Sequence, residues 1–179
     1  MHSLIIKAHP RPSGFTHRIA ETYSKQKKAL GNTVEILDLC LPENRQDYPE
    51  FIDENHFLED TSTKRMQAMI TGADELVFVF PVWWFDCPAV MKNWVDRNFT
   101  SGFAFRYNPD GKVDKLLSGK NAKVFATAWG PWAVIGFFVG LIWKMGRFGF
   151  VGLKPTAFKV FGGFTKRTEE EKVKFLEKL

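Results

Sequence analysis

Short apolar runs alternate with amphipathic segments along this chain. The runs at 3–8, 33–39, 75–80, 122–128 and 156–162 predict five strands. The third run is rich in valine and phenylalanine, which is typical of a strand covered on both faces. Regular alternation of strands and helices favours a parallel sheet with helices on both sides. We therefore expect an α/β, doubly wound, five-stranded sheet in the order 2-1-3-4-5.

The segments between these strands predict helices and one surface excursion. Helices are predicted at 16–30, 61–71 and 88–99, and a last helix follows Thr168, which forms a capping-box pattern with Glu171. Residues 41–60 are polar and acidic and predict a long loop with a short helical turn. The Asn-Pro-Asp-Gly sequence at 108–111 is a strong turn signal and predicts a surface hairpin.

An almost wholly apolar segment runs from residue 131 to residue 143. It is too short to span a bilayer, and Lys144 and Arg147 follow it immediately. Several glycines interrupt it, which predicts a loop or a broken helix. We expect it to form a pocket wall or a subunit interface.

Composition limits the classes of function. A chain of 179 residues with 45% apolar residues predicts a single domain, 1–179. The net charge of +5 suits an anionic small molecule. Since Lys and Arg do not cluster in one segment, nucleic-acid binding is not expected. Cys40 and Cys87 are far apart and have no metal-binding spacing, so we expect a reduced, cytoplasmic protein without a metal site. Cys87 is interpreted as a small buried residue.

The predicted topology brings three loops, 9–16, 81–88 and 127–132, to one edge of the sheet, where ligands bind in open α/β folds. The first loop leads into a helix N-terminus, which favours a phosphate. His9, Ser13 and Thr16 add polar groups there. The alternative is that Ser13 or Thr16 simply caps the helix.

The second and third loops are aromatic. Pro81 ends the third strand, Pro88 suits a first helical position, and two tryptophans and a phenylalanine lie between them. Aromatic side chains and free loop amides suit a flat ring with a polar edge. The alternative is an aromatic plug of the core. The third loop again places a tryptophan and a glycine, Trp129 and Gly130, after a strand.

Several motifs of this chain occur together in one known family. They are Ala8-His9-Pro10, Ser13-Gly14-Phe15-Thr16, Phe80-Pro81-Val82-Trp83-Trp84-Phe85, Pro88-Ala89 with Lys92, Trp94, Asp96 and Arg97, and Gly102-Phe103-Ala104-Phe105. With them the chain resembles, over nearly its whole length, the flavodoxin-like NAD(P)H:quinone oxidoreductases. That group includes small bacterial quinone reductases and ancillary subunits of potassium-efflux systems. The resemblance implies a flavodoxin-like fold.

The resemblance also implies a cofactor and the residues that bind it. The phosphate would lie in the loop formed by His9, Ser13, Gly14, Phe15 and Thr16. The isoalloxazine ring would lie against Pro81, Val82, Trp83, Trp84, Phe85, Thr127, Ala128, Trp129 and Gly130. We expect FMN, with FAD as the alternative, NAD(P)H as substrate, and two-electron ping-pong hydride transfer to a quinone or a similar acceptor. A homodimer that completes each pocket is expected.

The chain departs from the family pattern at two places. Gly14 stands where the family usually has a serine, which removes one hydroxyl donor. Residues 129–152 contain no tyrosine or histidine to assist hydride transfer, so no catalytic residue is assigned. The alternative function is a flavin-binding regulatory or ancillary subunit of a membrane transport system, with peripheral membrane association. Arg106, Lys144 and Arg147 are interpreted as solvated surface charges.

Overall fold

A parallel sheet of five strands forms the centre of the part of the chain that the computed structural model describes, residues 1–11, 13–50, 52, 60–130 and 132–179. Its strands are β1 (His2–Lys7), β2 (Thr33–Asp38), β3 (Glu75–Pro81), β6 (Asn121–Thr127) and β7 (Lys154–Phe161). Their order is β2-β1-β3-β6-β7. Two further strands, β4 (Phe105–Tyr107) and β5 (Val113–Lys115), pair with each other and form the predicted surface hairpin. With the hairpin set aside, the predicted order 2-1-3-4-5 is confirmed.

Helices connect successive strands of the sheet, and a last helix follows the final strand. They are α1 (Phe15–Ala29), α2 (Thr61–Gly72), α3 (Ala89–Asn98), α4 (Trp132–Leu141), α5 (Gly149–Val151) and α6 (Glu169–Leu176). The predicted capping box of α6 is present, with the Thr168 hydroxyl accepting from the Glu171 amide. Pro88 is the N-cap of α3 and not its first helical residue, one position from the prediction.

Alternate side chains of the strands feed two apolar clusters, one on each face of the sheet. On one face Phe78 and Phe80 pack with Trp94 and Trp143, beneath α2, α3 and the helix after β6. On the other face, the cluster under α1 and α6 includes residues of β1, β3 and β6: Ile5, Val77, Val79 and Phe125. Every residue of β3 is buried. The continuous apolar run of β3 thus corresponds to a central strand covered on both faces, as predicted.

The apolar segment after β6 is helical, so the predicted loop is wrong, whereas the alternative of a broken helix corresponds to a π-helical interruption without a gap. α4 continues as a π-helix (Ile142–Phe148) and ends in α5, and we call residues 132–151 together the apolar helix. By length and composition alone, 133–151 could cross a membrane, contrary to the expectation of a segment too short to do so. Its side chains Trp143, Phe148 and Val151 are instead part of the domain core.

The predicted long loop begins with the short helical turn expected there, a 3-10 turn at Pro42–Asn44. Arg97 of α3 holds the described part of this loop at two places. Its guanidinium donates to the carbonyls of Asp47 and Tyr48 at 2.9 and 3.0 Å and to the Asp60 carboxylate at 2.8 Å. The rest of that prediction, at 51 and 53–59, falls outside the described residues.

Glu75 opens β3 at the edge of the sheet opposite the predicted ligand loops. Its carboxylate accepts from Ser3 and Tyr23 at 2.9 and 2.7 Å and pairs with Lys123 and Lys27 at 3.0 and 3.4 Å. Burial alone would raise the pKa of Glu75, but the hydrogen bonds from Tyr23, Lys123 and Ser3 outweigh burial and lower it. The carboxylate is therefore charged, and it neutralises two lysines that flank the start of the central strand.

Replacing Glu75 with Gln should destabilise the fold but leave the loops at the opposite edge of the sheet unchanged. Removal of one partner from a buried ion pair leaves the other charges uncompensated, and we expect a loss of about 3 kcal/mol in the free energy of unfolding at pH 7. Urea denaturation measures this loss. The matched control is Glu170→Gln, which breaks the exposed pair with Lys174 and should cost less than about 1 kcal/mol. Equal losses in the two variants would contradict a structural role for the buried cluster.

Candidate functional site

The three predicted loops border one cavity of about 700 Å³ at the carboxyl ends of the central strands. It brings together eleven of the fourteen residues predicted to bind a cofactor, with three further residues. The lining consists of His9, Arg11, Gly14, Phe15, Thr16, Pro81, Val82, Trp83, Trp84, Thr127, Ala128, Trp129, Phe164 and Thr165.

The first loop delivers an uncapped helix N-terminus to this cavity. Gly14 precedes α1 with a φ of 146°, a conformation that favours glycine. In the described residues, no side chain caps α1 and its first turn holds no acidic residue, so the alternative of a plain cap by Ser13 or Thr16 is wrong. The first amides of α1 remain available for an anion.

Thr16 supplies an unpartnered hydroxyl to the cavity wall. The residue is only 3% exposed, and its side chain has no hydrogen-bond partner within the described part of the chain. Its oxygen is not one of the fully buried unpartnered atoms, so it reaches the accessible surface. From the first turn of α1 this hydroxyl is free to donate to an anion.

Two histidines hold the backbone of this loop through Arg11. The Nδ1 atom of His9 accepts from the Arg11 amide at 3.1 Å, and Nε2 of His17 donates to the Arg11 carbonyl at 2.6 Å. Lys7, which pairs with Asp38 at 2.9 Å, donates to His17 Nδ1, and this fixes the proton of His17 on Nε2. Burial, the neighbouring His17 and nearby cations lower the pKa of His9, so its ring is neutral at neutral pH.

The second loop forms a tight two-residue turn. Trp83 and Asp86 exchange two backbone hydrogen bonds at 2.8 and 3.0 Å, while Trp84 and Phe85 between them have φ values of 49° and 61°. Two left-handed residues at the tip are typical of a type I′ turn, where Asn and Gly are usual and large aromatic residues are strained. We call residues 83–86 the aromatic turn. Within the described residues, the amides of Trp84 and Phe85 donate to no acceptor.

Asp86 and Arg147 form an ion pair behind this turn that the sequence analysis missed. The guanidinium donates to both carboxylate oxygens at 2.8 and 2.6 Å and lies 4.7 Å from the centroid of the Trp143 ring. The interpretation of Arg147 as a solvated surface charge is therefore wrong. Arg106 is largely exposed and pairs with Asp114, in keeping with surface charge.

The charge state of Asp86 follows from its neighbours. Burial alone would raise its pKa, but hydrogen bonds from Arg147 and from the Cys87 amide outweigh burial and lower it. Asp86 is thus a carboxylate at neutral pH. The signal in the sequence was an arginine within a mainly apolar helix, where a charged side chain that becomes buried needs a partner.

The third loop and the loop after β7 close the other side of the cavity. Thr127 is 8% exposed, and its hydroxyl has no partner among the described residues, whereas Trp129 is 80% exposed. The Phe164 amide donates to the Ala128 carbonyl at 3.1 Å, which holds the two loops together. The ring of Phe164 stacks on Phe15, with centroids 5.7 Å apart.

The sequence analysis also missed three lining residues, Arg11, Phe164 and Thr165. The loop after β7 lies at the same edge of a parallel sheet as the other three, so topology offered a signal for the last two. Three predicted residues lie outside the lining: Ser13 is exposed, Phe85 packs its ring edge-on to Phe138 at 6.0 Å, and Gly130 accepts from the Gly163 amide. For them a role in cofactor binding stays a prediction.

The cysteines do not supply a nucleophile to the cavity. Burial and the Asp86 charge raise the pKa of the Cys87 thiol to about 12, in keeping with its interpretation as a small buried residue. Cys40 is free and lies outside the lining. Among the described residues, no three His, Cys, Asp or Glu side chains are grouped as a metal site requires.

The donor set and shape of the cavity fit a flat ring that carries a phosphate. Its volume lies in the range usual for cofactor sites, and five of its fourteen lining residues are phenylalanine or tryptophan. The free amides and the Thr16 hydroxyl at one end suit a phosphate. The unpaired amides of the aromatic turn and the Thr127 hydroxyl suit the polar edge of a ring.

This chain is similar to proteins of a known family. A family model described as "Flavodoxin-like fold" matches residues 1–179. The chain is 31% identical over 158 residues to "Ribosyldihydronicotinamide dehydrogenase-like protein traD" of Penicillium crustosum; the match covers 73% of this chain and 58% of that protein. It is 28% identical over 160 residues to "FMN-dependent NADH:quinone oxidoreductase" of Clostridium beijerinckii, covering 84% of this chain and 80% of that protein. The crystal structure of Smu.1420 from Streptococcus mutans superposes with a TM-score of 0.85 at 26% identity and covers 99% of this chain and 96% of that one.

Proposed function

Because the chain belongs to the flavodoxin-like fold family, we propose that it is a flavin-dependent NAD(P)H dehydrogenase that binds FMN and reduces quinones or similar acceptors. The observation that carries this proposal is the cavity itself. It joins an uncapped helix N-terminus to an aromatic wall with unpaired amides, and these features suit the two ends of FMN. The name of the Clostridium relative, an FMN-dependent NADH:quinone oxidoreductase, supports the same assignment.

Each group of lining residues has a distinct task in this proposal. The α1 amides and Thr16 bind the phosphate, while the aromatic turn and Thr127 orient the ring. FMN, when bound, supplies reversible two-electron hydride chemistry. Trp84 and Trp129 are largely exposed, so they border an open side of the cavity, where NAD(P)H and then the acceptor bind in turn. Positioning of these partners is the main contribution of the protein.

The proton that accompanies reduction of the acceptor is assigned to no side chain. His9 lines the cavity, but its Nδ1 atom is engaged by the Arg11 amide and its pKa is lowered. Both cysteines are free thiols, and a reducing cytoplasm suits them. The alternative of an ancillary transport subunit has no support from the names of the relatives, which describe dehydrogenases and oxidoreductases.

Flavin binding and reduction test the proposal directly. Purified protein incubated with FMN and desalted should stay yellow, NAD(P)H should bleach it under anaerobic conditions, and a quinone should restore the colour. Absorbance at the flavin bands measures each step. Mass spectrometry of the flavin released from the protein as purified, before any flavin is added, distinguishes FMN from FAD. Protein that stays colourless with both flavins contradicts the proposal.

Thr16→Val should weaken the binding of FMN but not that of riboflavin. Loss of a hydrogen bond to a charged phosphate costs about 1.5–3 kcal/mol, so the Kd for FMN should rise about tenfold or more. The Kd for riboflavin, which lacks the phosphate, should not change. Quenching of flavin fluorescence measures both constants.

The matched control is Thr127→Val, which removes the unpartnered hydroxyl at the ring end. It should weaken FMN and riboflavin by the same factor. If Thr16→Val weakens both flavins equally, the phosphate does not lie at α1.

We further propose that the chain forms a homodimer through the apolar helix. Its exposed apolar side chains lie beside the cavity, where Phe138 meets Phe85 of the aromatic turn. They are Val134, Phe137, Phe138, Leu141, Ile142 and Met145. Contiguous exposed apolar surface marks interaction sites, and a twofold dimer is the commonest arrangement for such a patch.

Phe137→Glu should convert the dimer to a monomer and weaken FMN retention together, because the partner completes the open side of the cavity. Light scattering coupled to size exclusion measures the mass, and flavin fluorescence measures retention. Leu30→Glu, at an exposed apolar residue just after α1, is the control and should change neither. A wild-type monomer that holds FMN and reduces quinone contradicts the shared site.

A further inference from the structure

The aromatic turn is held in an unfavourable backbone conformation. Trp84 is 98% exposed and Phe85 is 52% exposed, so burial of these rings does not pin the tip of the turn. Non-glycine residues in the left-handed region cost about 1–3 kcal/mol each and persist only where surrounding structure fixes them. The turn therefore needs an anchor other than the exposed rings at its tip.

Among the described residues, Asp86 supplies the polar side-chain anchor of this turn, beside the edge-on contact of the Phe85 ring with the apolar helix. Its backbone closes the turn against Trp83, while its carboxylate accepts two hydrogen bonds from Arg147 and one, at 2.7 Å, from the Cys87 amide. The guanidinium fork matches the carboxylate bidentately, so the pair fixes direction as well as distance. One residue thus joins the strained turn to the apolar helix.

Arg147 is itself held rigidly. Its side chain is 10% exposed, and its guanidinium lies over the ring of Trp143. Trp143 is fully buried and stacks on Phe80 of β3, with centroids 5.0 Å apart. Arg147 also lies in the π-helical segment, a rare geometry that occurs often at functional sites. The anchor of the turn therefore reaches the central strand through two aromatic rings.

We propose that the Asp86–Arg147 pair is a positioning device that holds the aromatic turn in its left-handed conformation, with the Trp84 and Phe85 amides free to contact the cofactor ring. This inference rests on the proposed function, because the ring is that of the flavin. Neither residue lines the cavity, so both act through the turn and neither is catalytic.

Substitutions of Asp86 and Arg147 should affect flavin affinity in a coupled way. Removing one partner leaves the other charge partly buried and unpaired, whereas removing both leaves none. Asp86→Asn keeps an acceptor for the Cys87 amide, and Arg147→Gln keeps a polar side chain. The two substitutions should therefore be non-additive. The double variant should lose less free energy of flavin binding than the sum of the losses in the two single variants, as expected for residues in contact.

The experiment measures the Kd of FMN and of riboflavin for Asp86→Asn, Arg147→Gln and the double variant, together with near-UV circular dichroism of the flavin-free proteins. Each single variant should weaken both flavins by the same factor, about tenfold or more, because the ring end is affected. The tryptophan signal of the flavin-free protein should change in parallel. Arg147→Lys, which keeps the charge but not the fork, should restore part of the affinity.

The control is the double variant Arg106→Gln with Asp114→Asn, which removes an exposed ion pair of the hairpin joined at 3.0 Å. It should change neither the Kd of the two flavins nor the tryptophan signal. Single variants within twofold of the wild type, with an unchanged tryptophan signal, overturn the proposal. So does a loss confined to FMN. If Arg147→Gln does not fold, Arg147→Lys and Asp86→Asn carry the same comparison. A wild-type protein that binds no flavin refutes the proposed function, whereas the tryptophan signal still tests the anchor.

Discussion

Burial of β3 on both faces is the constraint from which the rest of the structure follows. A strand with no exposed residue needs an apolar layer on each side, which α1 and α6 provide on one face and α2, α3 and the apolar helix on the other. Polar chemistry can then reach β3 only at its ends. At the amino end Glu75 is buried with its hydroxyl and lysine partners, and at the carboxyl end the chain leaves the sheet as the aromatic turn.

The two ends of β3 use charge differently. Glu75 contacts Tyr23, Lys27 and Lys123 at the edge of the sheet opposite the cavity, and none of these residues lines that cavity. Asp86 pairs with Arg147 and lies in the turn that forms part of the cavity wall. A paired carboxylate near a ligand site stabilises the wall without presenting its own charge to the ligand. The positive groups of the cavity are thus left at the end formed by α1 and Arg11.

The apolar helix links the core, the site and the proposed subunit interface. Its buried side, with Trp143, Phe148 and Val151, completes the cluster over β3, while its exposed side carries phenylalanine and other apolar side chains. Arg147 lies between these two sides and holds the turn. The ion pair and the Phe85–Phe138 contact both connect the apolar helix to the aromatic turn. A shift of this helix on dimer formation would therefore also move the aromatic turn.

The sequence by itself determined the sheet, its order and most of the cavity lining, because these depend on local periodicity and on the rule that loops after parallel strands share one edge. The short buried runs, the turn at 108–111 and the cap at Thr168 are all local signals, and the structure follows them within about two residues. Tertiary structure alone decided the rest. Glycines at 136, 140, 146 and 149 suggested a break, yet packing of Trp143 and Phe148 on β3 keeps the segment helical. The Asp86–Arg147 pair joins residues 61 positions apart, and no pattern along the chain encodes such a distance; only the fold of the apolar helix against β3 brings those charges together.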